Sequence, residues 1–278
     1  MFLSPKEIVE QYINGSIAKS KLSTGKVIGK SVFAGMMIAM GAACSNVAVH
    51  AIDNVGVARL VAGCVFPVGL MMVILMGAEL FTGDCLMAMA VSDKKISLAQ
   101  FCKVLVLVYI GNFIGGFLTA VTMYYSGQFN YSAGRLGAYT IKVALGKVSL
   151  TPVQGIASGI LCNILVCAAV LIAMSSKDVT GKLLASFFVI MPFVTGGFEH
   201  CVANMYYISA GLIAKLNPAY VEAAGSVYGL GDLSALGIKG FLINNLIPVT
   251  IGNIIGGSLC IGLPMFYLNY KESKEKEN

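Results

Sequence analysis

The chain has 278 residues, of which 57% are hydrophobic and 12% are charged, and its mean hydropathy is +0.83. These values exclude a water-soluble globular fold, and the long continuous apolar runs exclude a transmembrane β-barrel, whose strands alternate apolar and polar residues. The net charge of +6 does not indicate nucleic-acid binding, because the lysines fall in short groups between apolar runs.

The predicted elements begin with an amphipathic helix over residues 1–26. Lysines and glutamates interrupt its apolar stretches, so the segment does not resemble a cleaved signal peptide, and we expect it to lie on the cytoplasmic membrane surface. Apolar windows then predict six transmembrane spans. They lie near residues 27–50, 60–91, 98–125, 150–174, 183–213 and 237–268, and a charged cytoplasmic tail over 269–278 follows them.

The distribution of Lys and Arg predicts the orientation of these spans. With six spans, both termini and the loops at 92–97 and 175–182 share one side, which carries 13 of the 19 Lys and Arg residues. The positive-inside rule therefore predicts cytoplasmic N- and C-termini. The other side carries the remaining six: Arg59, Arg135, Lys142, Lys147, Lys215 and Lys239.

Two sequence motifs recur in the second half of the chain. GNFIGG at 111–116 in span three returns as GNIIGG at 252–257 in span six. GAELFTGD at 77–84 in span two and GFEHCVAN at 197–204 in span five share their first glycine and their glutamate. Each half, about 27–125 and 150–268, holds three spans. The two copies are therefore predicted to be inverted in the membrane, with a solute path at their interface.

The glycine-rich polar motifs also predict that spans two and five are broken within the membrane. Ionisable side chains at that depth are costly unless they are paired or face a water-filled path. We interpret Glu79 and Glu199 as residues that stabilise the broken segments by binding the freed backbone amides, and we group Asn204 with them. A direct part in conduction is the alternative for both glutamates.

His200 is the histidine predicted at the centre of the membrane, whereas His50, the other one in the chain, falls at the end of a span. An imidazole at that depth can donate a hydrogen bond to an anion or exchange a proton with it near neutral pH. His200 is therefore the candidate residue for binding a permeating solute. The alternative is a buried histidine that is satisfied by a neighbour.

Through GAELFT at 77–82 and GFEHCVANMY at 197–206, the chain resembles the formate/nitrite transporter family, which includes formate, nitrite and hydrosulfide channels. The resemblance covers the whole chain. It implies an aquaporin-like, six-helix protomer that assembles as a homopentamer with one pore in each protomer. Within the family, the chain is most similar to the hydrosulfide ion channel of clostridia.

The resemblance also implies roles for individual residues. His200 and Thr82 would face each other in the centre of the pore, and Lys147 would attract anions at the outer vestibule. Leu80 and Phe193 would form the outer constriction. Phe66, Leu70 and Val166 would form the inner constriction, with Asn163 beside them.

We therefore predict an all-α membrane protein that is a passive channel for small monovalent anions of weak acids in a bacterial cytoplasmic membrane. Hydrosulfide is the expected main solute, formate and nitrite are also expected to permeate, and the expected partners are membrane lipid and further copies of the chain. A proton-coupled formate or nitrite transporter is the alternative.

Two other functions are disfavoured. The NPA sequence at 217–219 is typical of water channels, but this single copy lies in a polar loop, where Asn-Pro is an ordinary helix-start signal. Neither an enzyme activity nor a cofactor or metal site is predicted. Glu199, His200 and Cys201 are consecutive, so their side chains diverge on a helix and cannot bind one metal together.

Overall fold

A computed structural model describes residues 2–271, which fold into helices joined by short loops. In chain order these helices are α1 (Pro5–Ser20), α2 (Thr24–Val49), α3 (Val55–Met76), α4 (Phe81–Ser92), α5 (Leu98–Tyr125), α6 (Arg135–Val148), α7 (Pro152–Ser175), α8 (Val179–Gly196), α9 (Cys201–Ala214), α10 (Pro218–Tyr228) and α11 (Gly240–Lys271). The all-helical class predicted from the sequence is confirmed.

Six helices within residues 2–271 are long and apolar enough to cross a membrane, namely α2, α3, α5, α7, α8 and α11. α5 has the bounds predicted for span three, because its apolar run is uninterrupted and a polar cap precedes it. α3 and α8 are each followed, after four non-helical residues, by a short apolar helix, α4 and α9 respectively. α11 includes π-helical stretches, in which the hydrogen bonds join residues five apart.

Side-chain caps determine where several helices begin. Ser97 caps α5 and Thr151 caps α7, and in both cases the glutamine three residues later binds the N–H of the cap residue. Asn217 caps α10, because its Oδ1 accepts a hydrogen bond from Ala219 N at 3.0 Å. The NPA sequence therefore begins a helix outside the six spans, as predicted.

Helix α1 differs from the predicted surface helix. It is shorter than residues 1–26, and its side chains Ile8 and Ile13 are buried against the rest of the protein. Tyr12 Oη donates a hydrogen bond to Gly83 O at 2.7 Å. The helix packs onto the spanning helices, because the chain itself supplies partners for its apolar and polar side chains.

The ends of the described chain lie on one side of the helix bundle. Leu3 N donates to Ser175 O at 2.9 Å, and α1 packs against the end of α11. The tail predicted over 269–278 begins inside α11, which continues to Lys271. The rest of that prediction, with Lys274 and Lys276, lies outside the described residues.

Close crossings join α2 to α5 and α7 to α11. A Cβ atom at Gly115 would lie 2.1 Å from Val32 O, and one at Gly256 would lie 2.4 Å from Ile160 O. Any side chain at these positions would collide with the facing backbone, so the glycines set the short distance between the helices. Both glycines belong to the recurring hexapeptide, which therefore makes the same kind of contact twice.

Candidate pore

The loop between α3 and α4 is held by one buried asparagine of α5. Gly77 ends α3 with a φ of 64°, a left-handed conformation. Phe81 N, at the start of α4, donates to Asn112 Oδ1 at 2.9 Å. Asn112 Nδ2 donates to Glu79 O at 3.0 Å and to Ser31 O at 2.7 Å. Asn112 therefore joins the loop to α2 as well as to α5.

The loop between α8 and α9 is held in the same way by an asparagine of α11. Gly197 ends α8 with a φ of 71°. Cys201 N, at the start of α9, donates to Asn253 Oδ1 at 2.9 Å. Asn253 Nδ2 donates to Glu199 O at 3.0 Å and to Gly159 O at 2.8 Å. The two loops therefore have equivalent asparagines, which occupy the second position of the two hexapeptides.

The backbones of the two loops are bound by Asn112 and Asn253. The same role had been predicted for the carboxylates of Glu79 and Glu199, which instead contact other side chains. The reason is chemical, since one amide can accept from an N–H and donate to a C=O, whereas a carboxylate can only accept. Asn112 and Asn253 match in the predicted repeat, but this role was not predicted for them. The signal in the sequence was an asparagine at the same position of two apolar, glycine-rich motifs.

The Glu79 carboxylate instead accepts from two lysines near the N-terminus. Lys19 Nζ lies 2.5 Å from Glu79 Oε2, and Lys30 Nζ lies 3.2 Å from Glu79 Oε1. Lys19 also binds the buried Asp84. This cluster links α1 to the first loop, and the sequence alone did not indicate it.

The Glu199 carboxylate has a corresponding cation, Lys147. Lys147 Nζ lies 2.8 Å from Glu199 Oε1, and Glu199 Oε2 accepts from Asn204 Nδ2 at 2.6 Å and from Asn245 Nδ2 at 3.2 Å. Asn245 Nδ2 also donates to Lys147 O at 2.9 Å. Asn204 therefore contacts the second loop through Glu199, and the ammonium expected to attract anions is part of a mostly buried ion pair.

His200 and Thr82 face each other across the two loops. His200 Nε2 lies 3.0 Å from Thr82 Oγ1, and His200 Nδ1 accepts from Ala203 N at 3.0 Å. Because Nδ1 accepts, the neutral imidazole carries its proton on Nε2 and donates it towards Thr82. The Thr82 hydroxyl then retains a hydrogen that it can donate to another group.

A small cavity lies beside this pair. Its volume is about 10 Å³, which is close to the smallest space that holds one water molecule. Apart from His200, the lining is entirely apolar, and it consists of Ile38, Phe66, Leu70, Leu80, Val166, Ile190 and Phe193. A solute in this space would contact one polar side chain of the lining, that of His200.

A vestibule of about 650 Å³ opens on one side of the small cavity. Phe66, Phe193 and His200 line both cavities, and the rings of Phe66 and Phe193 meet edge to face with their centroids 5.7 Å apart. These two rings therefore separate the vestibule from the small cavity. Lys147 and Glu199 line the wider space.

Three residues occupy places that differ from the two rings implied by resemblance. Phe66, expected in the inner ring, contacts Phe193 of the outer ring. Leu80, expected in the outer ring, lines the small cavity and not the vestibule. Asn163 does not line either cavity, and its Nδ2 donates to Thr82 O at 3.1 Å and to Asn253 O at 2.6 Å.

Comparisons with known proteins agree with this architecture. A family model described as formate/nitrite transporter matches residues 6–267. The chain is 40% identical to the formate channel FocA of Haemophilus influenzae over 77% of its length and 75% of the relative's. It is 34% identical to a probable formate transporter of Methanothermobacter thermautotrophicus over 98% of both chains. A solved structure described as a pentameric formate channel with formate bound superposes with a TM-score of 0.78, at 30% identity, over 88% of this chain and 97% of that one.

Proposed function

The chain belongs to the formate/nitrite transporter family, and from this premise we propose that it is a passive channel for small monovalent anions of weak acids. The observation that carries the proposal is the His200–Thr82 pair beside a cavity whose other lining side chains are apolar. The Thr82 hydroxyl keeps a hydrogen that it can donate, so the pair suits a small solute with an acceptor atom in a nearly dry space.

The apolar lining excludes hydrated ions because it offers nothing to replace their water. A weak acid has a second state available, since its neutral form crosses a low-dielectric region at far lower cost than its anion. The Thr82 hydroxyl, which accepts from His200 Nε2–H, donates to the solute beside the apolar lining and so stabilises it there. Small dimensions and dewetting of the lining limit the passage of larger ions.

Formate is the solute to test first. The relatives and the solved structure described above carry formate in their names, and the chain shares their fold. Hydrosulfide stays a prediction from general likeness within the family, and nitrite is a further candidate. All three are monovalent anions with small conjugate acids.

The proposal includes an arrangement of two inverted three-span halves with breaks in spans two and five. It is supported by the equivalent asparagines, Asn112 and Asn253, and by the equivalent glycine crossings. The excess of lysine on the side of the termini supports a cytoplasmic location for both ends in a bacterial cytoplasmic membrane. The solved pentameric relative supports a homopentamer embedded in lipid.

Uptake by proteoliposomes tests the channel. We expect formate flux in either direction down its own gradient, with chloride excluded, and protein-free liposomes correct for diffusion of the neutral acids. Hydrosulfide and nitrite are measured in parallel. Saturable uptake that stops without an imposed pH gradient would indicate a proton-coupled transporter instead of a channel. If flux does not exceed that of protein-free liposomes, both the channel and the transporter function are ruled out.

A further inference from the structure

The vestibule has an excess of positive charge. Its lining contains the side chains of four cationic residues and two carboxylates, Asp53 and Glu199. The four cations are Arg59, Arg135, Lys142 and Lys147. Such a concave basic surface raises the local concentration of anions.

Three of these cations are engaged with neighbouring groups. Lys147 is paired with Glu199, and Arg135 Nη2 lies 2.6 Å from Asp53 Oδ1. Lys142 Nζ lies over the ring of Tyr228, 4.5 Å from its centroid. The carboxylates partly cancel the charges of Lys147 and Arg135, and the contact with the Tyr228 ring fixes the position of Lys142.

Arg59 is different. Within the part of the chain that the structure describes, its guanidinium makes neither a hydrogen bond nor an ion pair, and the residue is exposed. The group lies against the backbone of Gly197, where a Cβ atom would be 1.8 Å from Arg59 Nη1. The absence of a side chain at Gly197 therefore leaves the space that the guanidinium occupies.

This position is next to the entrance of the small cavity. Gly197 ends the helix that carries Phe193, and it lies three residues before His200. A guanidinium over Gly197 is therefore near the two rings that separate the vestibule from the His200–Thr82 pair. It has five N–H donors that are not used by the protein.

We propose that Arg59 is the residue that binds the incoming anion in the vestibule and positions it before the Phe66–Phe193 rings. This inference rests on the proposed channel function and deepens it. A guanidinium matches a carboxylate with two parallel N–H···O bonds, whereas hydrosulfide has a single acceptor atom. Arg59 therefore favours planar carboxylates such as formate over hydrosulfide.

The test compares Arg59→Gln and Arg59→Lys with wild type in proteoliposomes, using formate and hydrosulfide. Arg59→Gln should raise the KM for formate about fivefold, leave the maximal rate unchanged and weaken the dependence of uptake on ionic strength. Arg59→Lys should restore the salt dependence but only part of the formate affinity. The KM for hydrosulfide should rise less than that for formate. Lys239→Gln is the matched control, because it removes a cation that lines neither cavity.

A structural role for Arg59 predicts other results. If the guanidinium only supports the end of α8, Arg59→Gln would lower the maximal rate and the melting temperature while the KM and salt dependence stayed unchanged. That outcome overturns the proposal. An equal rise in the KM for formate in Lys239→Gln would also overturn it. Wild-type flux is measured in the same experiment, so failure of the channel function is seen separately from failure of the Arg59 site.

A cysteine variant isolates charge from packing. Arg59→Cys is reconstituted and then modified with a cationic or an anionic methanethiosulfonate reagent, with treated wild type correcting for native cysteines. The cationic adduct should return the KM for formate towards the wild-type value, and the anionic adduct should raise it further. Equal KM values for the two adducts would overturn the proposal even if Arg59→Gln failed to fold.

Discussion

Replacing Asn253 by Leu removes the hydrogen bonds that hold the second loop while keeping a side chain of similar size. Three backbone groups lose their partner, because the amide binds Cys201 N, Gly159 O and Glu199 O at 2.8 to 3.0 Å. The residue is fully buried, so water cannot replace the lost bonds.

The expected loss follows from these three bonds. A buried backbone group left without a partner costs about 1–3 kcal/mol, whereas hydrogen bonds inside membrane proteins average about 0.6 kcal/mol in double-mutant cycles. Three groups together give a loss of about 2–9 kcal/mol in the free energy of unfolding. At about 2 °C per kcal/mol for a chain of this size, that lowers the melting temperature by roughly 4–18 °C.

Thermal unfolding of the detergent-solubilised protein, followed by circular dichroism at 222 nm, measures this loss. Asn46→Leu is the matched control. Asn46 is also a buried asparagine of a spanning helix, but its Nδ2 has no hydrogen-bond partner within the described chain. We expect this control to melt close to wild type. The reasoning is refuted if Asn253→Leu melts within about 2 °C of wild type, or if both variants lose the same amount.

Three further predictions concern the pore and its supports. His200→Phe should abolish formate flux, because it removes the polar side chain from the small cavity's lining, and size-exclusion chromatography should show an intact oligomer; unchanged flux would remove His200 from the mechanism. Leu80→Val should raise single-channel or initial-rate flux by widening that cavity, so a fall in flux with normal folding would argue against Leu80 as a restriction. Lys147→Met should destabilise the protein by about 3–5 kcal/mol because it leaves Glu199 buried and uncompensated. Adding Glu199→Gln should recover part of that loss in thermal unfolding, and strictly additive losses would show that the pair is not coupled.

The spanning helices could be predicted from sequence because their signal is local. The apolar run of α5 and the capping residues before it lie next to each other in the chain, so Leu98 and Tyr125 could be chosen as its ends without knowledge of the fold. Gly77 and Gly197 likewise mark the ends of α3 and α8, because each adopts the left-handed conformation that glycine tolerates. The motifs that contain Glu79 and His200 directed attention to the two loops, and the roles of these side chains in conduction stay predictions.

The partners of the loop residues could not be predicted in the same way. Lys19 binds Asp84 across 65 positions, and Tyr12 binds Gly83 across 71. Neither residue has a neighbouring sequence feature that identifies its partner, so α1 reads as an ordinary amphipathic helix. The pairing of Lys147 with Glu199 could not be predicted for the same reason, since it depends on how α6 packs against the second loop.

The asparagine contacts have a consequence for biogenesis. Asn112 binds Ser31, Glu79 and Phe81, all of which precede residue 125, and Asn253 binds partners within the second half. During synthesis, the first half can therefore satisfy the loop between α3 and α4 before the second half has left the ribosome. The His200–Thr82 contact requires both halves, so it forms only after the chain has been made as far as residue 200.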